Sequence, residues 1–503
     1  MFGRPNRLPA SQPRFVPRPL AGEAAPRVRG LAGPEPGRAL RARWLDDLGA
    51  ADFALVAFIV LAIALGGGGS PSPLPEMLLE WAALTVLAGV ALLDRRNAPW
   101  PRQALGFAMA LLALPTLQLV PLPPAIWHAL PGREIEVAAL ELVQAGQRWM
   151  PWTLSPPRTL ASLLALIVPV TTAVTTAFAS RRGRTFALVA IAGMALLSAA
   201  IGAAQLAGGP HSALRFYAAS HVEDLTGFQA NRNAEADVLL IGLIALAALA
   251  YANSSRLRHG GAVAWAVVAV LRGGAVLLTA SRAGIALLVV ATAVAALGIG
   301  LRPSAQAWRA RMSPPARLGL GSAALATVAG VAWAVASNPV LARIGQRFAG
   351  GSEPRPEIWR DTVFAIGQYW PWGSGIGTFV PVFVAAERLE AVNSSFPNRA
   401  HNDFLELTLE AGVPGLALLA ILAGSLVWCW VIRWRSGPTP IERAELYFSA
   451  ATLVLIGLHS SVDYPLRSMA LAALAGVASG FILAPARYRG GAASSGRVET
   501  KQP

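Results

Sequence analysis

Residues 181–205 read RRGRTFALVAIAGMALLSAAIGAAQ. A block with three arginines is followed by a run, 185–205, with no charged side chain. That length matches the about 20 residues an α-helix needs to cross a ~30 Å hydrocarbon layer. In lipid a spanning segment must satisfy every backbone group internally, so an apolar run of this kind is read as a helix. Comparable runs lie near 51–67, 76–93, 103–122, 159–179, 233–251, 261–279, 282–299, 318–336, 410–432, 446–462 and 467–486. The expected fold is all-α: a polytopic transmembrane helix bundle of about 12 spans.

Composition agrees. Of the 503 residues 54% are hydrophobic and only 14% charged, with a mean hydropathy of +0.50, whereas soluble domains carry roughly a quarter charged residues. The net charge of +15 raises the question of nucleic acid, because basic patches bind phosphate backbones without sequence preference. Placement of the charges decides. With the N-terminus cytoplasmic, the segments on the inner side hold 28 of the 42 Lys and Arg, in short blocks such as Arg95-Arg96, Arg181-Arg182-Gly183-Arg184, Arg302 to Arg317 and Arg433 to Arg443. That is the positive-inside pattern, and it makes the basic balance a statement about topology, with membrane lipids and no nucleic acid as partners. Residues 1–50, rich in Pro, Gly, Ala and Arg without an apolar core, are expected to be a disordered basic cytoplasmic arm. Residues 51–486 form the transmembrane domain and 487–503 a cytoplasmic tail. No short apolar stretch with a small-residue cleavage site precedes residue 51, so the first span is expected to be an uncleaved anchor.

In this orientation two outer segments are substantial. Residues 123–158 carry Trp127, Trp149 and Trp152 and resemble an interfacial or re-entrant piece anchored by aromatic rings. Residues 337–409, between spans nine and ten, are far longer than an ordinary connection. Their Trp359, Tyr369, Trp370, Trp372, Phe379 and Phe383 predict a long ordered extracytoplasmic loop. A helix is expected from Pro356 to about Tyr369, ended by the Pro371-Trp372-Gly373 turn.

The polar groups able to carry chemistry fall on that same side. Arg232 opens span six between Asn231 and Asn233; by itself it fits a snorkelling interfacial arginine equally well. Ser281-Arg282 sits in a tight outer hairpin, where a bond from the arginine to loop carbonyls is the plain alternative. Arg355 and Arg360 flank Trp359, ahead of Gly373, Gly375 and Gly377; guanidinium forks suit phosphate oxygens, and a glycine turn alone says little. His401-Asn402 is followed, after nine residues, by Gly412-Val413-Pro414-Gly415. A continuous helix would put His401, Gly412 and Gly415 on one face, while Pro414 argues equally for a kink. With an ordinary pKa near 6.5, His401 is the natural general base at neutral pH. His459 and Asp463 stand four apart at the outer end of span eleven and can meet on a helix, functionally or as a packing pair. Arg272 is an intramembrane charge whose partner the sequence does not name. No Asp-x-Asp pair and no Cys or His cluster with metal-ligand spacing occurs, so neither a metal nor another cofactor is expected.

From about 225 to 480 these residues resemble the bacterial O-antigen ligase and polymerase superfamily of membrane glycosyltransferases. The family signature of His, then Asn, Ser or Gln, nine residues, Gly, two residues, and Gly, Thr or Tyr is met by His401, Asn402, Gly412 and Gly415. Asn231-Arg232-Asn233, Ser281-Arg282, the Arg355-to-Trp359 element and His459 to Asp463 occur in the family's order. The resemblance implies a metal-independent enzyme of the bacterial inner membrane with a periplasmic active site. It would transfer a glycan from a polyprenyl (undecaprenyl) diphosphate carrier to an acceptor hydroxyl at the outer leaflet, first of all to lipid A core. Repeat-unit polymerisation and protein O-glycosylation are the alternatives within the superfamily. On this view Arg232 and Arg355 bind the donor diphosphate, Arg282 and Arg360 are weaker candidates, and His401 takes the acceptor's proton. Asn231, Asn402, Gly412, Gly415, His459 and Asp463 support them. A twelve-span transporter or a lipid-linked-glycan flippase is the reading of another class; the transporter would place its polar site near the midplane, and the flippase would need arginines on both faces or along a central cavity.

Overall fold

The computed structural model describes residues 48–68, 73–94, 99–217, 221–253, 259–300, 313–314, 355–392 and 397–485. The run expected to span at 318–336, residues 337–354 of the long outer segment, nearly all of the arm and the tail lie outside them. The described helices are α1 (Ala50–Leu65), α2 (Pro73–Leu93), α3 (Arg102–Leu119), α4 (Pro124–Trp127), α5 (Glu134–Leu142), α6 (Pro156–Ala165), α7 (Ile167–Phe178), α8 (Arg181–Ala207), α9 (Arg232–Ala252), α10 (His259–Leu278), α11 (Arg282–Gly300), α12 (Arg355–Tyr369), α13 (Phe379–Ala386), α14 (Asp403–Arg435), α15 (Pro440–Ser460) and α16 (Met469–Leu483). Among the described residues α2, the α6–α7 pair, α8, α9 and α14 are long and apolar enough to cross a membrane. Shorter apolar stretches lie in α1, α10, α11 and α16. The chain is a multi-pass helical membrane protein.

Helix α9 is the axis of the bundle. Every residue from Ala234 to Ala245 is buried, which requires neighbours all round; α8, α10, α11, α15 and α16 supply them. Small residues let the backbones close in, since helix association in lipid rests on tight packing rather than on expulsion of water. On α16, a Cβ at Gly476 would lie 2.1 Å from the Thr172 hydroxyl of α7, and one at Gly480 would lie 2.5 Å from the Ala173 carbonyl oxygen. Arg272 of α10, the intramembrane cation, donates to the carbonyl oxygens of Gly242 on α9 and Ala192 on α8. It joins three helices through their backbones.

The two ends of the bundle differ. At one, Arg184 meets Glu445 at 2.9 Å, Arg181 meets Glu442 at 2.8 Å, and Asp52 accepts from the Ser180 amide at 2.7 Å. At the other, backbone bonds tie Ala470 to Gly66, Ala230 to Gly67, Leu225 to Leu278 and Asp403 to Asp463. The arginine blocks at 181–184 and 433–443 lie at the first end. Arg232, Ser281-Arg282, His401 and Asp463 lie at the second.

Over that second end lies a folded layer. Residues 121–122 and 150–151 pair as a two-residue antiparallel ladder, Pro121 with Pro151 and Leu122 with Met150, inside the Trp-bearing segment. Trp127 is fully buried and donates to the Arg148 carbonyl at 2.9 Å. Helix α12 ends at the Trp370–Trp372 turn, and the turn packs on α14, where the Val413 amide donates to the Pro371 oxygen at 2.8 Å. Gly412 has φ 55°, left-handed backbone that favours glycine. A Cβ there would lie 2.1 Å from the Pro371 oxygen. The kink therefore separates about two and a half outer turns of α14, from Asp403, from the apolar stretch that begins at Val413. The alternative of one continuous helix bearing His401, Gly412 and Gly415 on a single face is not the one adopted.

Candidate active site

Asn402 starts α14. Its side-chain oxygen accepts from the Phe404 and Leu405 amides at 3.0 and 3.1 Å, as an N-cap does, and its Nδ2 donates to the Ser461 carbonyl at 2.9 Å. His401 precedes the cap with φ 50°, a conformation uncommon for a residue with a Cβ. That turn aims the imidazole across the corner between α15 and α16. There its Nδ1 lies 3.0 Å from Asp463 Oδ1, and its ring meets Tyr464 edge-on with centroids 4.9 Å apart. The His401 side chain is 27% exposed and Asp463 only 4%, so one face of the pair opens outward.

Asp463 is held from several sides. Asn233 of α9 donates to its other oxygen, and His459 Nε2 stands 3.8 Å from it. Burial raises the pKa of this carboxyl, but the bond to His401 and the charges of His459, His401 and Arg355 outweigh it and hold the group below the usual carboxylate range. An ionised Asp463 calls for the proton of His401 on Nδ1. In the neutral ring Nε2 is then the nitrogen with a free lone pair. Asn231, the N-cap of α9, donates to the Tyr464 hydroxyl at 3.3 Å.

Beneath the pair lies a charge cluster that fixes the two chain segments to each other. Arg467, four residues after Asp463, reaches Glu410 at 2.9 Å, Glu406 at 3.2 Å and Asp403 at 3.7 Å. Arg399 reaches Glu406 at 2.9 Å, and Ser460 Oγ donates to Asp403 at 2.9 Å. Burial disfavours the charge on Arg467, yet Glu406, Glu410 and Asp403 hold its pKa above the ordinary arginine value. Helix α12 docks against the same corner through Trp359 Nε1, which donates to the Ala400 carbonyl at 3.0 Å.

Among the expected site residues, His401, Asp463, His459, Asn231 and Asn402 come together here. Arg355, the first residue of α12, is half-buried, and its charge acts on both Asp463 and His459. Arg232 is already engaged, paired with Asp224 at 2.8 Å. Arg282 begins α11, where Ser281 Oγ caps the helix by accepting from the Gly284 amide at 3.0 Å. Arg360 is exposed, about 140° around α12 from Arg355 by helical geometry. Gly412 forms the kink, and Gly415 packs one turn on, where a Cβ would lie 2.4 Å from that of Ala411. Gly373, Gly375 and Gly377 serve packing: the Gly375 amide donates to the Glu410 carbonyl at 2.8 Å, and a Cβ at Gly375 would lie 2.0 Å from the Thr153 hydroxyl. Among the described residues no group of three or more His, Cys, Asp or Glu side chains could hold a metal ion.

Several members escaped the sequence. Asp237, fully buried, faces His459 at 2.7 Å; a carboxylate inside an apolar run is a functional candidate by default, and this one stands four residues after Asn233. Asp403, Glu406 and Glu410 recur at offsets 0, 3 and 7, one face of a helix, a stripe that calls for an arginine.

A buried carboxyl and a partly exposed imidazole thus meet at one end of the bundle as a candidate site. Residues 265–420 match the family model described as O-Antigen ligase. That match supports a likeness of this stretch to the O-antigen ligase and polymerase superfamily and, in general terms, a membrane enzyme of O-antigen ligase type. The match takes in Arg282, Arg355, Arg360, His401, Gly412 and Gly415. Asn231 to Asn233 and His459 to Asp463 lie beyond it and join by geometry. A search of curated proteins finds no match.

Proposed function

We propose that this protein transfers a glycan from a polyprenyl diphosphate carrier, undecaprenyl diphosphate in bacteria, to an acceptor hydroxyl at the outer leaflet of the inner membrane, with lipid A core as acceptor. The observation that carries the proposal is the His401–Asp463 pair: an oriented, outward-facing base beside the charge of Arg355. His401 Nε2 takes the proton of the acceptor hydroxyl as that oxygen attacks the anomeric carbon. Arg355 and Arg232 bind the diphosphate and stabilise the charge that develops on the leaving group; Arg232 exchanges Asp224 for the donor to do so. Arg282 assists from the α11 end, and Arg360 is the weakest of the four. In this proposal the chain crosses the membrane about twelve times. Both termini are cytoplasmic, and the arginine–carboxylate end of the bundle faces the cytoplasm.

Purified His401→Ala and Arg355→Ala, supplied with polyprenyl-diphosphate-linked glycan and acceptor, should lose transfer while remaining folded. Undiminished transfer by folded His401→Ala would sink the assignment. Deletion in the native organism chooses the acceptor: loss of capped lipopolysaccharide supports ligation, loss of long chains polymerisation, and loss of glycoprotein protein glycosylation.

A further inference from the structure

His459 is 1% exposed, and its Nδ1 lies 2.8 and 2.7 Å from the two oxygens of Asp237. Its Nε2 faces Asp463 Oδ2 at 3.8 Å and is a buried atom without a hydrogen-bond partner. Asp237, His459, Asp463 and His401 thus form one row running from the interior of the bundle to the outward-facing imidazole. Asp237 is fully buried, and a carboxylate shut away from water keeps its charge only against a counter-charge. His459 stands within hydrogen-bond distance to provide it. In its imidazolium form His459 turns an N–H toward Asp463, which then lies between two histidines. Among the described residues Arg355 from α12 also places its charge on the row, and the uncharged Asn233 from α9 donates to Asp463.

We infer that Asp237, working through His459, is a positioning residue that tempers the negative charge Asp463 presents to His401 and so sets the pH range in which His401 is unprotonated. Without the Asp237 charge, His459 has less reason to carry its own. Asp463 then faces His401 unopposed, and the imidazole holds its proton more tightly.

The inference rests on His401 being the working base, and the test separates the two. In the full-length protein in detergent, exchange of the imidazole C2 hydrogen followed by mass spectrometry reports the titration of His401 itself, with no substrate present. Asp237→Asn should raise the His401 midpoint by about one pH unit, the size expected for a change of one nearby charge. Asp237→Glu, which keeps the carboxylate, should stay near wild type. His459→Gln removes the intervening cation and should raise the midpoint as well, so the outcome does not hang on one variant folding. An unmoved His401 midpoint in folded Asp237→Asn or His459→Gln overturns the inference, since a purely structural role would lower transfer at every pH without shifting the titration. If the midpoint rises but the acid limb of the glycan-transfer profile does not follow it, the inference stands and His401 as base fails.

Discussion

Replacing Arg467 by methionine tests what holds the corner together. The guanidinium is shared by Glu410 at 2.9 Å, Glu406 at 3.2 Å and Asp403 at 3.7 Å, and both glutamates are fully buried. After the substitution Glu406 keeps Arg399 and Asp403 keeps Ser460 and the Leu466 amide. Glu410 keeps the Phe379 amide but loses its cation. The cheapest response is for Glu410 to bind a proton, and from the ordinary glutamate pKa of about 4.3 that costs about 4 kcal/mol at pH 7.5. The figure agrees with the roughly 3–5 kcal/mol for breaking a buried pair from one side. The sign with pH follows. A proton is easier to supply in acid, so the deficit should shrink to about 1.6 kcal/mol at pH 5.5. Reversible unfolding in mixed micelles at the two pH values measures it. Adding Glu410→Gln to Arg467→Met should recover most of the loss at pH 7.5. A variant within about 0.5 kcal/mol of wild type, the range of ordinary surface changes, would refute the reasoning, as would a deficit that does not change with pH.

Other outcomes follow from the same corner and from the bundle. Asp463→Asn removes the acceptor that orients His401, and transfer should fall on the order of 10²-fold or more, within the range of general-base contributions, with the melting temperature little changed; a rate near wild type would contradict this. Gly412→Ala meets the Pro371 oxygen and must adopt a left-handed φ. Thermal unfolding should register a loss of more than about 2 kcal/mol, since the backbone strain alone is of order 1–3 kcal/mol. Arg272→Met leaves the Gly242 and Ala192 carbonyls in their helices and removes a buried cation. Stability should stay within about 1 kcal/mol, as exchanging buried charge for apolar packing is often neutral, and a large loss would show that its donors are needed.

The apolar runs were legible because lipid demands length and uniformity, so residues 185–205 announce a helix before any packing is known. The corner motif was legible for a different reason: Asn402, Gly412 and Gly415 each need their own residue type, as cap, left-handed hinge and close-packed turn, beside the His401 that we propose as base. The Asp237–His459 contact was not, because 222 residues separate the partners and only the packing of α9 on α15 joins them. Arg272 was visible as a charge and invisible as a joint, since helix carbonyls are spoken for by their own ladder in any sequence-level account. The pairing of Arg232 with Asp224 was hidden too, although the acid lies only eight residues upstream, because a non-helical connection fixes no spacing.

The two halves of the acid–base pair belong to different parts of the molecule. Asp463 is gripped from within the bundle by Asn233, on the helix every neighbour surrounds. His401 arrives with the overlying layer, on a segment that Trp359 and the Pro371 turn seat against α14. The carboxylate is thus a fixed socket and the imidazole a plug. If the pair works as proposed, catalytic competence is a measure of assembly, and anything that lifts the cover would silence transfer without touching the carboxylate.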